Sequence, residues 1–533
     1  MASATAALVG LVNIADFRSI LVGASRRGGH RLTTPRYWCC LDLKQRTGSD
    51  VFASLVQTVW GQPAIATLLE SPSSVCPANS SASQPSFPLA WPASPPSEKA
   101  SSDPSANAQY SICAGPPNAV PTGQQQLWTP PLGQILPLLR QRLRDLSPDQ
   151  GVSPASEIRP NPALPFWGGW LGWLGYDTAW EIEKLPYKNP DPLPFPVAFW
   201  YEPASFAVLD HAQQQLWLAA PNPDTLALMR QSQCQPGPPK DIKNTPSPER
   251  WARPQTQQLT FGMRQAEFEQ AVKAAKQHIQ AGDVFQVNLS LRFQAETTLS
   301  PWQVYRALQQ INPSPFASYW QTPWGSVISS SPERLVKLRG TTAQTRPIAG
   351  TRPRGLTPEQ DRHLAQELLS NRKENAEHIM LVDLERNDLG RVSEWGSVHV
   401  DELLVIERYS HVMHLVSNVV GQLHPACNAI DLIAAMFPGG TISGCPKVRC
   451  MEIIESLEPL RRSLFYGSCG YLDSRGYLDL NILIRTLLMG GWRGHQQTVW
   501  GQVGAGIVAD SDPEREWHES LQKAKAQLLA LGL

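Results

Sequence analysis

Two pairs of glutamates set the chemical question in this 533-residue sequence. Glu374 and Glu377 lie three residues apart in a stretch of helical character, and Glu516 and Glu519 repeat the spacing near the end of the chain. At that spacing both carboxylates project from one helix face, and like charges there repel unless something positive lies between them. A divalent cation would serve, and a ligand set made only of oxygens selects a hard ion such as Mg2+ over zinc. Each pair taken alone also reads as a solvated helix face, where charged side chains normally sit.

The surroundings of the pairs supply further candidates. GAGIV at Gly504–Val508 puts Gly504, Ala505 and Gly506 where backbone N–H groups could approach an anion, or where a strand is simply crowded. GGTISGCPK at Gly439–Lys447 is a second cradle, carrying Thr441; Pro446 opens a helix expected to turn Val448, Met451, Ile454 and Leu457 to the core. Lys447 and Arg449 read equally as functional or as surface charges. Arg485 lies in NILIRTLL, which reads as a buried strand, so its guanidinium needs an anionic partner, either a ligand or a structural carboxylate. Tyr466 in FYGSCGY offers a hydroxyl to the same anion or is a core aromatic. His411 and His414 read as strand residues on opposite faces, so only one of them reaches a site. PIAGTRPRG at 347–355 reads as a rigid turn beside a cleft, with Thr351 as a donor and Arg352 and Arg354 positive. The glycines of GWLGWLGYD are too apolar in context and too poorly spaced for a phosphate-binding turn.

The elements that must position these residues follow from periodicity. Phe268, Val272, Ala275 and Ile279 predict a helix ending near Gly282, and VFQVNLSLRF then switches to a strand period. Further strands are expected at 316–320, 324–329 and 333–338. A helix starting near Pro358 is expected to continue through KENAEHIMLVDLERNDLG. The chain closes as a glycine-rich strand and a helix with Trp517, Leu521, Ala524 and Leu528 on its core stripe and Glu516, Glu519 and Lys523 on a second stripe facing a cleft. In the first half, FWGGWLGWLGY alternates bulky residues with glycines, as strands do where neighbours approach closely, and 196–200, 205–209 and 216–218 read as strands. The class is α+β, with antiparallel sheets and helices packed outside.

Composition bounds the rest. Hydrophobic content of 42% and charged content of 17% suit a folded globular protein. Lysine plus arginine equals aspartate plus glutamate at 46 each, which gives no long-range attraction for nucleic acid or anionic lipid. Nine cysteines without CxxC spacing in the C-terminal half fit free thiols in a reducing compartment, and the apolar start lacks the flanks of a signal peptide, so a cytoplasmic protein with no membrane span is expected. Residues 71–125, rich in Ser and Pro, and 234–257 read as an insertion and a linker. They suggest a division into an N-terminal region, 1–257, and a region 258–533 that carries the candidates.

GDVFQVNLSLRF (282–293), PIAGTRPRG (347–355), KENAEHIMLVDLERNDLGRV (373–392), HVMHLVS (411–417), FPGGTISGCPKVRCMEIIESLEP (437–459), YGSCGYLDSRGYLDLNILIRTL (466–487) and GAGIVADSDPEREWHESLQKA (504–524) together resemble the chorismate-utilising enzyme family, in particular its component I members. The resemblance implies two large antiparallel β-sheets packed as a sandwich with helices outside, 258–533 being the chorismate-binding catalytic region. It implies that Glu377 and Glu519 hold Mg2+ against the ring carboxylate of chorismate, with Glu374 and Glu516 in support. Arg485, Tyr466, Lys523 and the backbone of Gly504, Ala505 and Gly506 would bind the enolpyruvyl carboxylate. His414 would assist departure of the C4 hydroxyl, and Thr351 and Thr441 would add polar contacts beside Ala349 and Gly350.

Gln286 stands where water-adding relatives carry a lysine base, which implies amination and disfavours isochorismate or salicylate synthesis. No glutaminase segment is visible, so ammonia would come from a separate glutamine amidotransferase subunit. The segments resemble aminodeoxychorismate synthases more than anthranilate synthases. Against this, Ala349 replaces the lysine that many of the former use as a nucleophile, and LLES at 68–71 is similar to the tryptophan-pocket segment of regulated anthranilate synthases, so that branch stays open. A non-catalytic homologue would be expected to lose a metal-side glutamate or Arg485, and none is lost.

Overall fold

The alternation of the strand Gln286–Thr297 decides which way the candidate residues face. Val287, Leu289, Leu291 and Phe293 are buried in an apolar cluster, so by the period of two Gln286, Asn288, Ser290 and Arg292 point the opposite way. Its antiparallel neighbour Gln496–Ile507 pairs Gly504 with Ser290 and Gly506 with Asn288, and does the same: Val503, Ala505 and Ile507 enter that cluster. This computed structural model describes residues 36–71, 109–119, 125–144, 152–156, 158–234, 256–409, 412–494 and 496–533. The first 35 residues, most of the expected insertion and linker, and His411 lie outside the described residues.

Two antiparallel sheets carry the chain. The 12-stranded sheet runs Tyr37–Asp42, Gln215–Ala220, Phe206–Asp210, Tyr110–Ala114, Ala66–Glu70, Phe316–Thr322, Gly325–Ser331, Thr486–Arg493, Gln496–Ile507, Gln286–Thr297 and Gly444–Cys445, with Thr256–Phe261 also paired to Gln286–Thr297. The 10-stranded sheet runs Ile348–Pro353, Val412–Gln422, Thr342–Arg346, Arg334–Arg339, Leu478–Asn481, Ser468–Asp473, Gly169–Leu174, Ala198–Tyr201 and Leu127–Trp128, with His399–Arg408 beside Val412–Gln422. Strands from both sides of residue 257 enter both sheets, so that position divides the sequence without dividing the sheets. Trp173, Trp200, Trp320 and Val327 fill the space between the sheets, while Ile328, one residue on, joins the cluster under the helices Gln265–Gln280, Pro301–Ile311, Lys447–Leu457 and Pro513–Ala530. Among the described residues no helix is long and apolar enough to cross a membrane.

The strand and helix expectations hold for most of the chain, with four corrections. The segment 347–355, expected as a rigid turn, contains the strand Ile348–Pro353, which pairs antiparallel with Val412–Gln422. The helix expected from Pro358 onward is two helices, Pro358–Ser370 and Arg372–Gly390. Asn371 leaves the helical region with ψ 102, and its side chain accepts from the N–H groups of Lys373 and Glu374, which starts the second helix afresh. Val448 is exposed, because the buried stripe of Lys447–Leu457 is Cys450, Met451, Ile453 and Ile454 and leaves Val448 at its edge. Arg485 does not sit inside a strand. It occupies a bend before Thr486–Arg493 with φ 52, a conformation that side-chain-bearing residues seldom adopt.

The glycines of GWLGWL mark a close approach, as expected: a Cβ on Gly172 would lie 2.2 Å from the carbonyl oxygen of Phe199 and 2.5 Å from the Trp200 ring. Gly172→Ala is therefore expected to destabilise the fold by about 1–3 kcal/mol through overpacking, read as a lower thermal midpoint. A midpoint equal to that of the parent would show that the strands have room to separate.

Candidate functional site

The polar faces of Gln286–Thr297 and Gln496–Ile507 form one wall of an open cleft of about 760 Å³. Across it stand the helices Arg372–Gly390 and Pro513–Ala530, the strand Ile348–Pro353 and the segment around Thr441. Each glutamate pair begins in the first turn of its helix, capped by Asn371 in one case and Asp512 in the other. A helix start carries partial positive charge, which favours carboxylates there. All four glutamates line the cleft.

Their charges are partly balanced by neighbours. Arg352 Nη1 donates to Glu374 Oε1 at 3.0 Å, Lys373 lies 3.7 Å from Glu377, and Lys523 lies 2.7 Å from Glu519. Burial pushes the Glu377 carboxyl above its usual range, and Glu374 and Glu519 push it further against the pull of Lys373. Glu516 is raised by burial, and further by Glu519, although the Ser511 hydroxyl opposes the shift. Among the described residues no three acidic, histidine or cysteine side chains stand close enough to ligate one ion as they are arranged. The donor set nonetheless suits a hard cation: it is all oxygen, its members repel one another across the cleft, and Glu374 Oε2 is buried without a hydrogen-bond partner. Gly350 makes room for that oxygen, since a Cβ there would sit 2.5 Å from it.

Arg485 also lines the cleft and has no ion-pair or side-chain hydrogen-bond partner among the described residues, so the structural salt bridge that its sequence context allowed is not found there. Burial draws its pKa down while Tyr466, Glu333 and Glu519 oppose the shift. Tyr466 also has positive φ, 65, and its buried hydroxyl has no hydrogen-bond partner among the described residues; burial raises its pKa above the usual value. Two strained residues at one site signal a geometry imposed by the surrounding fold. A Cβ on Gly504 would lie 2.9 Å from the Tyr466 oxygen. The pairing of Gln496–Ile507 with Thr486–Arg493 ends at Gly501, so residues 502–507 are paired along one edge only. On the free edge the Gly504 carbonyl accepts from Lys523 Nζ at 3.0 Å. Ala505 turns its methyl into the core beneath the helices, so only its flanking glycines line the cleft.

Thr351 and His414 are cross-strand partners, and Thr351 Oγ1 lies 2.9 Å from His414 Nδ1. Burial, and then the charge of Arg485, push the His414 imidazole down to about 4, so the ring is neutral near pH 7. Ala349 and Gly350 also line the cleft, with Gly350 at φ 47 in a break of register between Ala349 and Thr351. Gln286 Oε1 and Asn288 Nδ2 are buried without hydrogen-bond partners among the described residues, and a Cβ on Gly506 would meet both side chains. Lys447 is drawn away from the cleft into a 2.5 Å pair with Asp388, and Arg354 pairs with Asp361. LLES contributes Leu69, Glu70 and Ser71 to a separate cavity of about 130 Å³.

One group in the cleft had no role in the sequence reading. Glu333, in SSSPERL, is 5% exposed and lines the cleft. Burial raises its carboxyl to about 7 against the Thr441 side chain, the Ile348 backbone and Arg485. A carboxyl poised near neutrality in a cleft is suited to proton transfer. Nothing in the local sequence announces its burial, because its walls come from Thr441 and Arg485, more than a hundred residues away.

Comparison with known proteins adds four likenesses. The sequence model of the family described as "chorismate binding enzyme" matches residues 100–529. An "Anthranilate synthase component I-like protein" from Synechocystis sp. (strain ATCC 27184 / PCC 6803 / Kazusa) is 54% identical over 536 aligned residues, covering 100% of this chain and 99% of the relative. The same strain has a separate "Anthranilate synthase component 1", which is 43% identical over 68% of this chain and 76% of its own length. The "Aminodeoxychorismate synthase component 1" of Bacillus subtilis (strain 168) is 45% identical over 69% of this chain and 78% of its own length.

The environment of His414 gives a direct test of the cleft's electrostatics. Followed by NMR of the imidazole, His414 is expected to stay neutral until the pH falls to about 4. A midpoint near the ordinary histidine value of about 6.5 would show that water reaches the ring freely.

Proposed function

This chain belongs to the chorismate binding enzyme family, and from that premise we propose that it aminates chorismate, using ammonia from a glutamine amidotransferase partner. The observation that carries the reading is the division of charge among the residues lining the cleft: a buried guanidinium, Arg485, without an ion-pair partner among the described residues, and four helix-borne glutamates. Chorismate, a dianion, matches that division if a cation bridges its ring carboxylate to the glutamates. Glu377 and Glu519 would hold Mg2+, with Glu374 and Glu516 in support. Bound there, the ion would neutralise the ring carboxylate and act as template and Lewis acid. Arg485, the Tyr466 hydroxyl, Lys523 and the free edge at Gly504–Gly506 would hold the enolpyruvyl carboxylate.

The proton for the departing hydroxyl is assigned to Glu333 in place of His414. An imidazole with a pKa of about 4 is almost wholly without its imidazolium proton at pH 7 and offers only a far weaker N–H acid, whereas a carboxyl near 7 is half protonated there. His414 then holds Thr351 in place. Thr441 would contact substrate and Glu333 together. Ammonia itself is the nucleophile on this reading. Ala349 offers no amine, and the two lysines lining the cleft are engaged, Lys373 with Glu377 and Lys523 with Glu519 and the Gly504 carbonyl.

We place nitrogen at C4, as in aminodeoxychorismate synthase. The support is indirect: the full-length relative from Synechocystis coexists there with a separate anthranilate synthase component 1, which this chain matches less closely and over less of its length. Ala349 favours the second reading, anthranilate formation with release of pyruvate. Incubation of the purified chain with chorismate, Mg2+ and ammonium at raised pH distinguishes them. A product that requires an added lyase to become 4-aminobenzoate is expected; fluorescent anthranilate would sink the C4 reading.

Two substitutions test the roles. Glu519→Gln is expected to lower kcat by about 100-fold with the fold intact, and unchanged Mg2+-dependent turnover would show that the metal role is misplaced. Glu333→Gln is expected to cost about 10²- to 10⁴-fold. Because Glu333 must be protonated to act, wild-type activity compared at equal free-ammonia concentration should fall as pH rises through about 7, and that limb should vanish from the residual activity of the variant. A limb that survives would move the acid elsewhere.

A further inference from the structure

Arg462 lines the cleft, and its charge is met by Glu458. Its guanidinium and the Glu458 carboxylate are both buried, at 2% and 4% exposure, and meet through two bonds, Nε to Oε2 at 3.0 Å and Nη2 to Oε1 at 2.6 Å. Two further donors reach backbone: Nη1 donates to the Ile442 carbonyl at 2.8 Å and Nη2 to the Asn288 carbonyl at 2.7 Å. Its plane lies 4.7 Å from the centre of the Tyr466 ring. Glu458 Oε1 accepts in addition from the N–H and hydroxyl of Ser290, both at 2.8 Å.

These contacts join parts of the chain that no single secondary-structure element connects. Ile442 follows Thr441, Asn288 lies beside Gln286 on the cleft wall, and Tyr466 supplies the unpartnered hydroxyl next to Gly504. A buried pair of this kind is weak evidence for net stability, since desolvation offsets much of the attraction. Its geometry is another matter, because only a planar fork can serve a carboxylate, two carbonyls and a ring face at once.

We infer that Arg462 is a positioning residue: fixed by Glu458, it sets the distance between the Thr441 segment, the Gln286–Asn288 wall and the Tyr466 hydroxyl, and so shapes the anion pocket without binding the anion. This inference rests on the chorismate reading for its kinetic arm only. The anion's contacts are then made by Arg485 and Tyr466, while Arg462, already neutralised, contributes shape.

Arg462→Lys keeps the charge and loses the fork, which avoids leaving Glu458 buried without a cation. Hydrogen exchange in this variant is expected to rise together in 286–290, 440–443 and 464–468, with Gln265–Gln280 unchanged as the measure of global stability. KM for chorismate should rise about tenfold with kcat changed far less, the signature of a lost binding geometry. In a Tyr466→Phe background most of that KM effect should disappear, because the two residues act as one unit. Glu458→Gln, which keeps the shape and removes the charge, should reproduce the exchange pattern. Unchanged exchange in the three segments, or a KM effect fully additive with Tyr466→Phe, would overturn the inference. If the parent chain fails to consume chorismate while the exchange pattern appears as expected, the clamp stands and the proposed function falls.

Discussion

Two neighbouring strands, Gln286–Thr297 and Gln496–Ile507, have to bury one face and leave the other wet, and the rest of the site depends on that division. Their apolar residues pack beneath four helices. The period of two then commits Gln286, Asn288, Gly504 and Gly506 to the cleft. A slip of one residue would exchange the faces and place Val503 and Leu289 where a polar ligand must sit. The glycines are therefore placed by register as well as by their size, and the helices that cover the apolar face include the one that carries Glu516, Glu519 and Lys523.

Charge in the cleft is managed by distance and by burial together. The carboxylates at the helix starts are accompanied by Arg352, Lys373 and Lys523, which allows four acids to line one cleft. Deeper in, where water is excluded, the same acid chemistry behaves differently. Glu333 is raised to about 7 and Glu385, behind it, to about 8, in both cases chiefly by burial. One cleft thus holds carboxyl groups suited to a cation and a carboxyl group suited to a proton. What separates them is depth, since the residue type is identical.

Spacing made the glutamate pairs legible in the sequence, because three residues on a helix fix a shared face before any packing is known. The strands were legible for the same reason, through alternation. Tertiary burial was not. Glu333 and Arg462 look like ordinary charged residues beside strand and helix ends, and only the assembled fold encloses them. Arg485 was recognised as a guanidinium in need of an anion, but its apolar neighbours suggested a straight strand, and the bend with positive φ has no glycine to announce it. The helix break at Asn371 was hidden by continuous helical periodicity on both sides, since a capping side chain can end one helix and begin the next without a proline or glycine.

The half-paired stretch of Gln496–Ile507 has a bearing on solubility as well as chemistry. An unpaired strand edge is a template on which a second chain can add, and proteins usually blunt such edges. Here the C-terminal helix does so with side chains one turn apart: Lys523 occupies the Gly504 carbonyl on that stretch, and Gln527 donates at 2.8 Å to the carbonyl of Thr486, at the start of the neighbouring strand where the pairing ends. The helix that brings acids to the cleft is also the cover that keeps a sticky edge from self-association. Fraying of the last few turns would thus favour aggregation even before the sheets themselves lost their order.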